Sequence, residues 1–124
     1  NRLAAELYDV PILAENIEDD PHNRTRFLVV GFNEPARTGR DKTTIMFNLR
    51  NKPGELYRAL GALEKHEVNL LMIESRPAAR SSFEYIFFCD CIGHIEEAGM
   101  QAAVRALTDF ALETVVLGSY PSAE

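Results

Sequence analysis

A chain of 124 residues holds one ordinary hydrophobic core, or a small domain with an appendage. At 46% hydrophobic and 26% charged residues its composition is globular, and its apolar runs are far too short to span a bilayer. The net charge of −6, with no lysine/arginine cluster, speaks against a nucleic-acid or anionic-membrane partner. No signal peptide opens the chain, and without an initiator Met we expect a fragment of a longer protein.

Residues 3–8 read as the last turns of a helix, ended by Asp9-Val10-Pro11 because the residue before proline is pushed out of the helical region. Pro11 to Ala14 is a short apolar element, followed by a polar, acidic stretch to Arg24. Thr25 to Gly31, β-branched and aromatic, predicts a strand. Residues 33–42 carry proline, glycine and charge without periodicity and read as a linker.

Thr43 to Arg50 alternates, with Ile45, Phe47 and Leu49 on the face expected to be covered. Asn51-Lys52-Pro53-Gly54 is a turn with Asn51 as N-cap candidate, and residues 54–66 place Leu56, Leu60 and Leu63 at helical spacing. Val68 to Pro77 is the strand around which the frame is built. Its apolar body ends abruptly in Glu74-Ser75-Arg76, and Pro77 stops the ladder or confines it to an edge. Ala78 to Ser82 is a loop and Phe83 to Cys91 an aromatic-rich strand. A second helix, roughly 95–109, carries Ile95, Ala98, Ala102, Ala103, Ala106, Leu107 and Phe110 in a stripe, and Glu113 to Tyr120 closes the chain as a strand.

The order is β-α-β-β-α-β, which predicts an α+β, ferredoxin-like antiparallel sheet covered on one face by two helices. Cys89 and Cys91, two apart in a strand, point the same way, a poor geometry for a mutual disulfide. Buried, reduced thiols in a cytoplasmic protein is the expectation. The histidines His22, His66 and His94 match no metal-ligand spacing, so neither metal nor cofactor is called for.

Pro53-Gly54-Glu55-Leu56-Tyr57, followed by Asn69-Leu70 and Ile73-Glu74-Ser75-Arg76-Pro77, resembles the phenylalanine-binding ACT domain. Phe83 to Phe88 and Leu117 to Pro121 resemble that family's third and fourth strands, and Ala14 to Phe27 resembles the end of the prephenate dehydratase catalytic domain. The resemblance implies three parts: the tail of an α/β catalytic domain at 1–32, a linker at 33–42 and an ACT regulatory domain at 43–121. The family's effector loop usually has small or aliphatic residues around its leucine, where this chain has Glu55 and Tyr57.

On the family pattern, L-phenylalanine binds between two ACT domains for feedback inhibition, in a homodimer or homotetramer. Gly54 would let backbone N–H groups approach its carboxylate at a helix N-terminus. Leu56 and Leu70 would line the apolar part, Asn69 and carbonyls near it would take the ammonium, and Glu74 with Arg76 would pair across the interface and hold the loop, alongside Pro53, Glu55, Tyr57, Ser75 and Pro77. Read without the family, Pro53-Gly54 is a helix-starting turn and Glu74/Arg76 a solvated pair of about 0–1 kcal/mol. The front segment would bring Thr25, Arg26 and Phe27 to a cleft converting prephenate to phenylpyruvate, carbon dioxide and water. Thr25 would assist the leaving hydroxyl, Arg26 would hold a substrate carboxylate, and Phe27 would pack beneath. So short a front segment cannot enclose a substrate, so this chain alone is expected to be inactive. The alternatives are the regulatory domain of an aromatic amino acid hydroxylase, which should lack Thr25-Arg26-Phe27, and a dimerisation-only ACT-like domain.

Overall fold

The computed structural model describes residues 2–20, 27–77 and 84–122. Thr25 and Arg26, the predicted loop Ala78 to Ser82 and the strand start at Phe83 lie outside them. The chain divides into two compact units, Asn1–Gly31 and Phe32–Glu124.

In the first unit, helix α1 (Arg2–Tyr8) buries no residue. It ends where Asp9 turns left-handed at φ 51° and the Val10 amide reaches back to the Ala5 carbonyl at 3.0 Å. The apolar element expected at Pro11 to Ala14 has no regular structure, and Leu13 is exposed. The strand expected over Thr25 to Gly31 is also absent from its described part. Residues 27–31 are irregular and Val29 is 100% exposed. β-branched composition favours an extended chain, but a strand needs a ladder partner, and no pairing reaches these residues among those described.

The second unit is a four-stranded antiparallel sheet of order β2-β3-β1-β4, from β1 (Asp41–Arg50), β2 (Leu70–Pro77), β3 (Glu84–Ile92) and β4 (Glu113–Pro121). Helix α2 (Glu55–Lys65) joins β1 to β2, and α3 (Ala98–Thr108) joins β3 to β4, giving the ferredoxin-like arrangement. Ile45, Phe47 and Leu49 of β1 and Cys89 and Cys91 of β3 form one buried cluster with Ala59, Ala62 and Leu63 of α2 and Met100, Ala103 and Leu107 of α3. Phe47 stacks on Phe87 at 5.4 Å between ring centroids, inside the range that favours aromatic pairs. Burial pushes the Cys89 thiol up to about 12 and the Cys91 thiol to about 11, and both are free. That makes them core side chains rather than nucleophiles.

Several local expectations are corrected. β1 begins at Asp41, inside the expected linker, because the Asp41 carboxylate accepts the Thr38 hydroxyl at 2.6 Å and the Thr38 and Gly39 amides at 2.9 and 3.0 Å. Those bonds, the Thr38 hydroxyl first, hold its carboxyl below the usual carboxylate range. The N-cap of α2 is Gly54 rather than Asn51. In α2 the core-facing residues are Ala59, Ala62 and Leu63, while Leu56 and Leu60 stay more than a third exposed. In α3, Met100 enters the core with Ala103 and Leu107, and Ala98 is exposed. Helix α2 leaves the sheet by the same device as α1. Glu67 is left-handed at φ 56° and the Val68 amide returns to the Leu63 carbonyl at 3.0 Å.

The sheet is pinned at its Asp41 end by a relay of hydroxyls. The Ile95 amide donates to Ser119 Oγ at 3.0 Å, and Thr43 Oγ1 donates to the Gly93 carbonyl at 2.7 Å. The Thr43 proton being used, Ser119 must donate the 2.8 Å bond between the two hydroxyls. On the opposite face Thr44 Oγ1 donates to Asp90 at 2.7 Å, so Tyr120 donates the 2.8 Å bond to Thr44.

Candidate functional site

The β1–α2 connection is built from its residue types. Lys52-Pro53-Gly54-Glu55 closes with the Glu55 amide on the Lys52 carbonyl at 3.3 Å. Proline at the second position and Gly54 at φ 86°, ψ −9° at the third make it a type II turn. No atom lies within 4 Å of where a Gly54 Cβ would sit, so glycine is required here by backbone conformation and not by crowding. The turn delivers the chain into α2, whose first-turn amides precede the helical ladder and carry its positive dipole end.

Beside that turn lies a cleft of about 130 Å³. Its apolar lining is Leu49, Leu56, Tyr85 and Phe87, and Arg50, Lys52 and Glu55 bring charge to it. Tyr85 and Phe87 are adjacent rings on one face of β3, 6.5 Å apart. Pro77 opposes Tyr85 and Ser75 opposes Phe87 in the β2–β3 register, so these two β2 residues share the face of the aromatic floor.

The residues expected at the site fall into two groups. Pro53, Gly54, Glu55, Leu56 and Tyr57 stand at the same end of the sheet as Ser75, Arg76 and Pro77. Asn69 and Leu70 lie at the other end, where Leu70 opposes Cys91 and the Asn69 carbonyl takes the Ile92 amide at 2.9 Å. From Tyr85 to Cys91 is six steps of β3, roughly 20 Å. One chain therefore does not bring Asn69 to the cleft. Glu74 and Arg76 pair within their own strand at 3.8 Å, both well exposed, which is worth about 0–1 kcal/mol. Tyr57 points to solvent.

Arg50, Lys52, Tyr85 and Phe87 were not singled out from the sequence. Lys52 and Arg50 adjoin the Pro53-Gly54 turn and were within reach of the sequence, whereas Tyr85 and Phe87 join the cleft only through the strand register.

The first unit has its own opening of about 770 Å³, larger but lined mainly by apolar residues of 2–18. Its charged pair, Arg2 and Glu15, is satisfied by two mutual bonds of 3.0 and 2.8 Å. Of the expected catalytic residues only Phe27 is described; it is exposed and does not line this opening. Among the described residues no group of three or more His, Cys, Asp or Glu is placed to hold a metal, and no helix is long and apolar enough to cross a membrane.

The family model of the ACT domain matches residues 43–109, more than half of the chain. The chain belongs to the ACT-domain family. A second model, prephenate dehydratase, matches residues 1–35, so the ACT domain follows a short prephenate dehydratase segment. The bifunctional chorismate mutase/prephenate dehydratase of Aquifex aeolicus is 44% identical over 123 residues, 99% of this chain and 34% of that protein. The chain thus spans about a third of that curated relative's length. Among solved structures, the prephenate dehydratase of Arthrobacter aurescens in complex with L-Phe is similar at TM-score 0.67 and 36% identity. That match covers 73% of this chain and 30% of the other. GqqA, described as a novel type of quorum-quenching acylase, is similar at TM-score 0.69 and 32% identity over 76% of this chain and 48% of its own.

Proposed function

We propose that this chain is the regulatory part of a cytoplasmic prephenate dehydratase, and that its ACT domain binds L-phenylalanine between two copies for feedback inhibition. The observation that carries the reading is the aromatic-floored cleft beside the Gly54 turn, roughly 20 Å from Asn69-Leu70 in the same chain. If both parts of the motif touch one small ligand, they come from different copies. The complex of the Arthrobacter aurescens enzyme with L-Phe supports the choice of effector. Edge strand β2 offers an open ladder, and Leu71 and Ile73 on it, like Leu56 and Leu60 on α2, are exposed apolar side chains suited to a second copy.

The parent reaction on this reading is loss of carbon dioxide and the ring hydroxyl from prephenate, giving phenylpyruvate. Thr25 would hydrogen-bond the departing hydroxyl, Arg26 would anchor a carboxylate and Phe27 would pack against the substrate. The rest of the cleft comes from sequence that this chain does not contain. Phenylalanine favours one arrangement of the ACT pair, and the segment before β1 passes that bias to the catalytic domain.

Isothermal titration with L-phenylalanine, L-tyrosine and L-alanine tests the reading. Saturable binding near one L-phenylalanine per chain, with little heat from alanine, is expected. No heat and no thermal shift with any of them overturns it.

A further inference from the structure

Glu97 is the N-cap of α3 by position but not by side chain. Its backbone is extended at φ −74°, ψ 136°, and its carboxylate takes no amide of its own helix. An anion at a helix start is well placed to accept one, so the carboxylate has been drawn elsewhere. Glu97 Oε1 accepts the His94 amide at 3.1 Å, across a turn that the Glu97 amide closes on the His94 carbonyl at 2.9 Å. The same oxygen faces Arg37 Nη2 at 3.3 Å. Gly93 leaves room for it, since a Cβ there would stand 3.0 Å from Glu97 Oε2.

Arg37 opens a short strap before β1. Thr38 and Gly39 are tied to the Asp41 carboxylate, and the Arg40 carbonyl accepts the Ser122 amide at 2.7 Å just past β4. Those anchors belong to the sheet, whereas Arg37 reaches the start of α3. Both members of that pair are partly exposed, so it is weak and open to screening by salt. The strap is thus held firmly to the sheet and loosely to α3.

The start of α3 also meets the end of α2. Gly99, two residues past Glu97, is so close to the His66 carbonyl that a Cβ on it would stand 3.0 Å away. From there α2 runs back to Gly54 as a rod of roughly 16 Å. A displacement at the Gly54 turn therefore arrives beside the Arg37–Glu97 pair. We propose that Arg37 and Glu97 form a releasable latch through which the effector turn, by way of α2 and α3, acts on the segment before β1. The proposal rests on the effector reading above and names the contact that its signal crosses. A weak pair can be made or broken by a small shift, as a switching element requires.

Amide hydrogen exchange of the whole chain, followed by NMR, tests the latch at Thr38 and Gly39, with Phe47 in β1 as the reference. Glu97→Gln keeps an oxygen for the His94 amide and removes the charge that holds Arg37. Arg37→Ala removes the other partner. Each should speed exchange at Thr38 and Gly39 about two- to fivefold and leave Phe47 unchanged, and the double variant should exceed neither. Saturating L-phenylalanine should shift the Thr38 and Gly39 rates about twofold or more in the parent and leave them unmoved in Arg37→Ala. Single variants that exchange as slowly as the parent overturn the proposal. So does a parent that binds L-phenylalanine with unchanged strap rates, and in both cases the effector reading survives. A parent that binds no L-phenylalanine overturns both.

Discussion

Thr43 to Arg50 and Phe27 to Gly31 both have the composition of a strand, and only the first becomes one. Thr43 to Arg50 enters β1, with a ladder to β3 on one side and to β4 on the other, and Phe47 is 0% exposed. Phe27 to Gly31 is at least as rich in β-branched and aromatic residues, yet it is irregular and Val29 is fully exposed. Extended backbone is held by partners that satisfy its amides and by a face that is buried, and composition supplies neither. The first region is a domain that completes its own core. The second is a segment whose apolar side chains are unspent among the described residues.

Substitutions should separate the two regions in graded steps. Phe47→Ala removes a fully buried ring from the middle of the sheet and should destabilise the second unit by about 3–5 kcal/mol, read in a urea melt. Gly54→Ala meets no atom but forces a side chain to φ 86°, and should cost about 1–2 kcal/mol in the same melt. A loss near zero would show that the turn relaxes instead. Glu74→Ala breaks an exposed pair and should cost about 0–1 kcal/mol, a difference from the parent that shrinks as salt is added. Val29→Ser, in the other region, should leave the unfolding midpoint of the sheet within about 0.5 kcal/mol of the parent. A large effect there would erase the contrast between the regions.

The sheet unit was legible wherever periodicity is local. The alternation of Ile45, Phe47 and Leu49 and the two helical stretches suffice for the β-α-β-β-α-β order. What escaped was decided by contacts distant in sequence. Asp41 joins β1 because Thr38 and Gly39 fold back on its carboxylate, and a charged residue at the end of a linker gives no such sign. Leu56 and Leu60 carry the spacing of a core stripe, but α2 is rotated so that the small Ala59 and Ala62 meet the sheet. Gly99 reflects the same closeness, since a Cβ on it would stand 3.0 Å from the His66 carbonyl at the end of α2. At the candidate site the Pro53-Gly54 turn was readable from its residues. Tyr85 and Phe87 were not, because only the register of β3 against β1 and β2 carries them to the cleft.

In the proposed function the effector site is shared between two copies. Sedimentation equilibrium of the chain at micromolar concentration, with and without saturating L-phenylalanine, separates a shared site from one held within a single copy. A ligand that touches two copies at once must favour their association, so a dimer or larger species whose population rises with L-phenylalanine is expected. A chain that binds L-phenylalanine and still sediments as a monomer would contradict it.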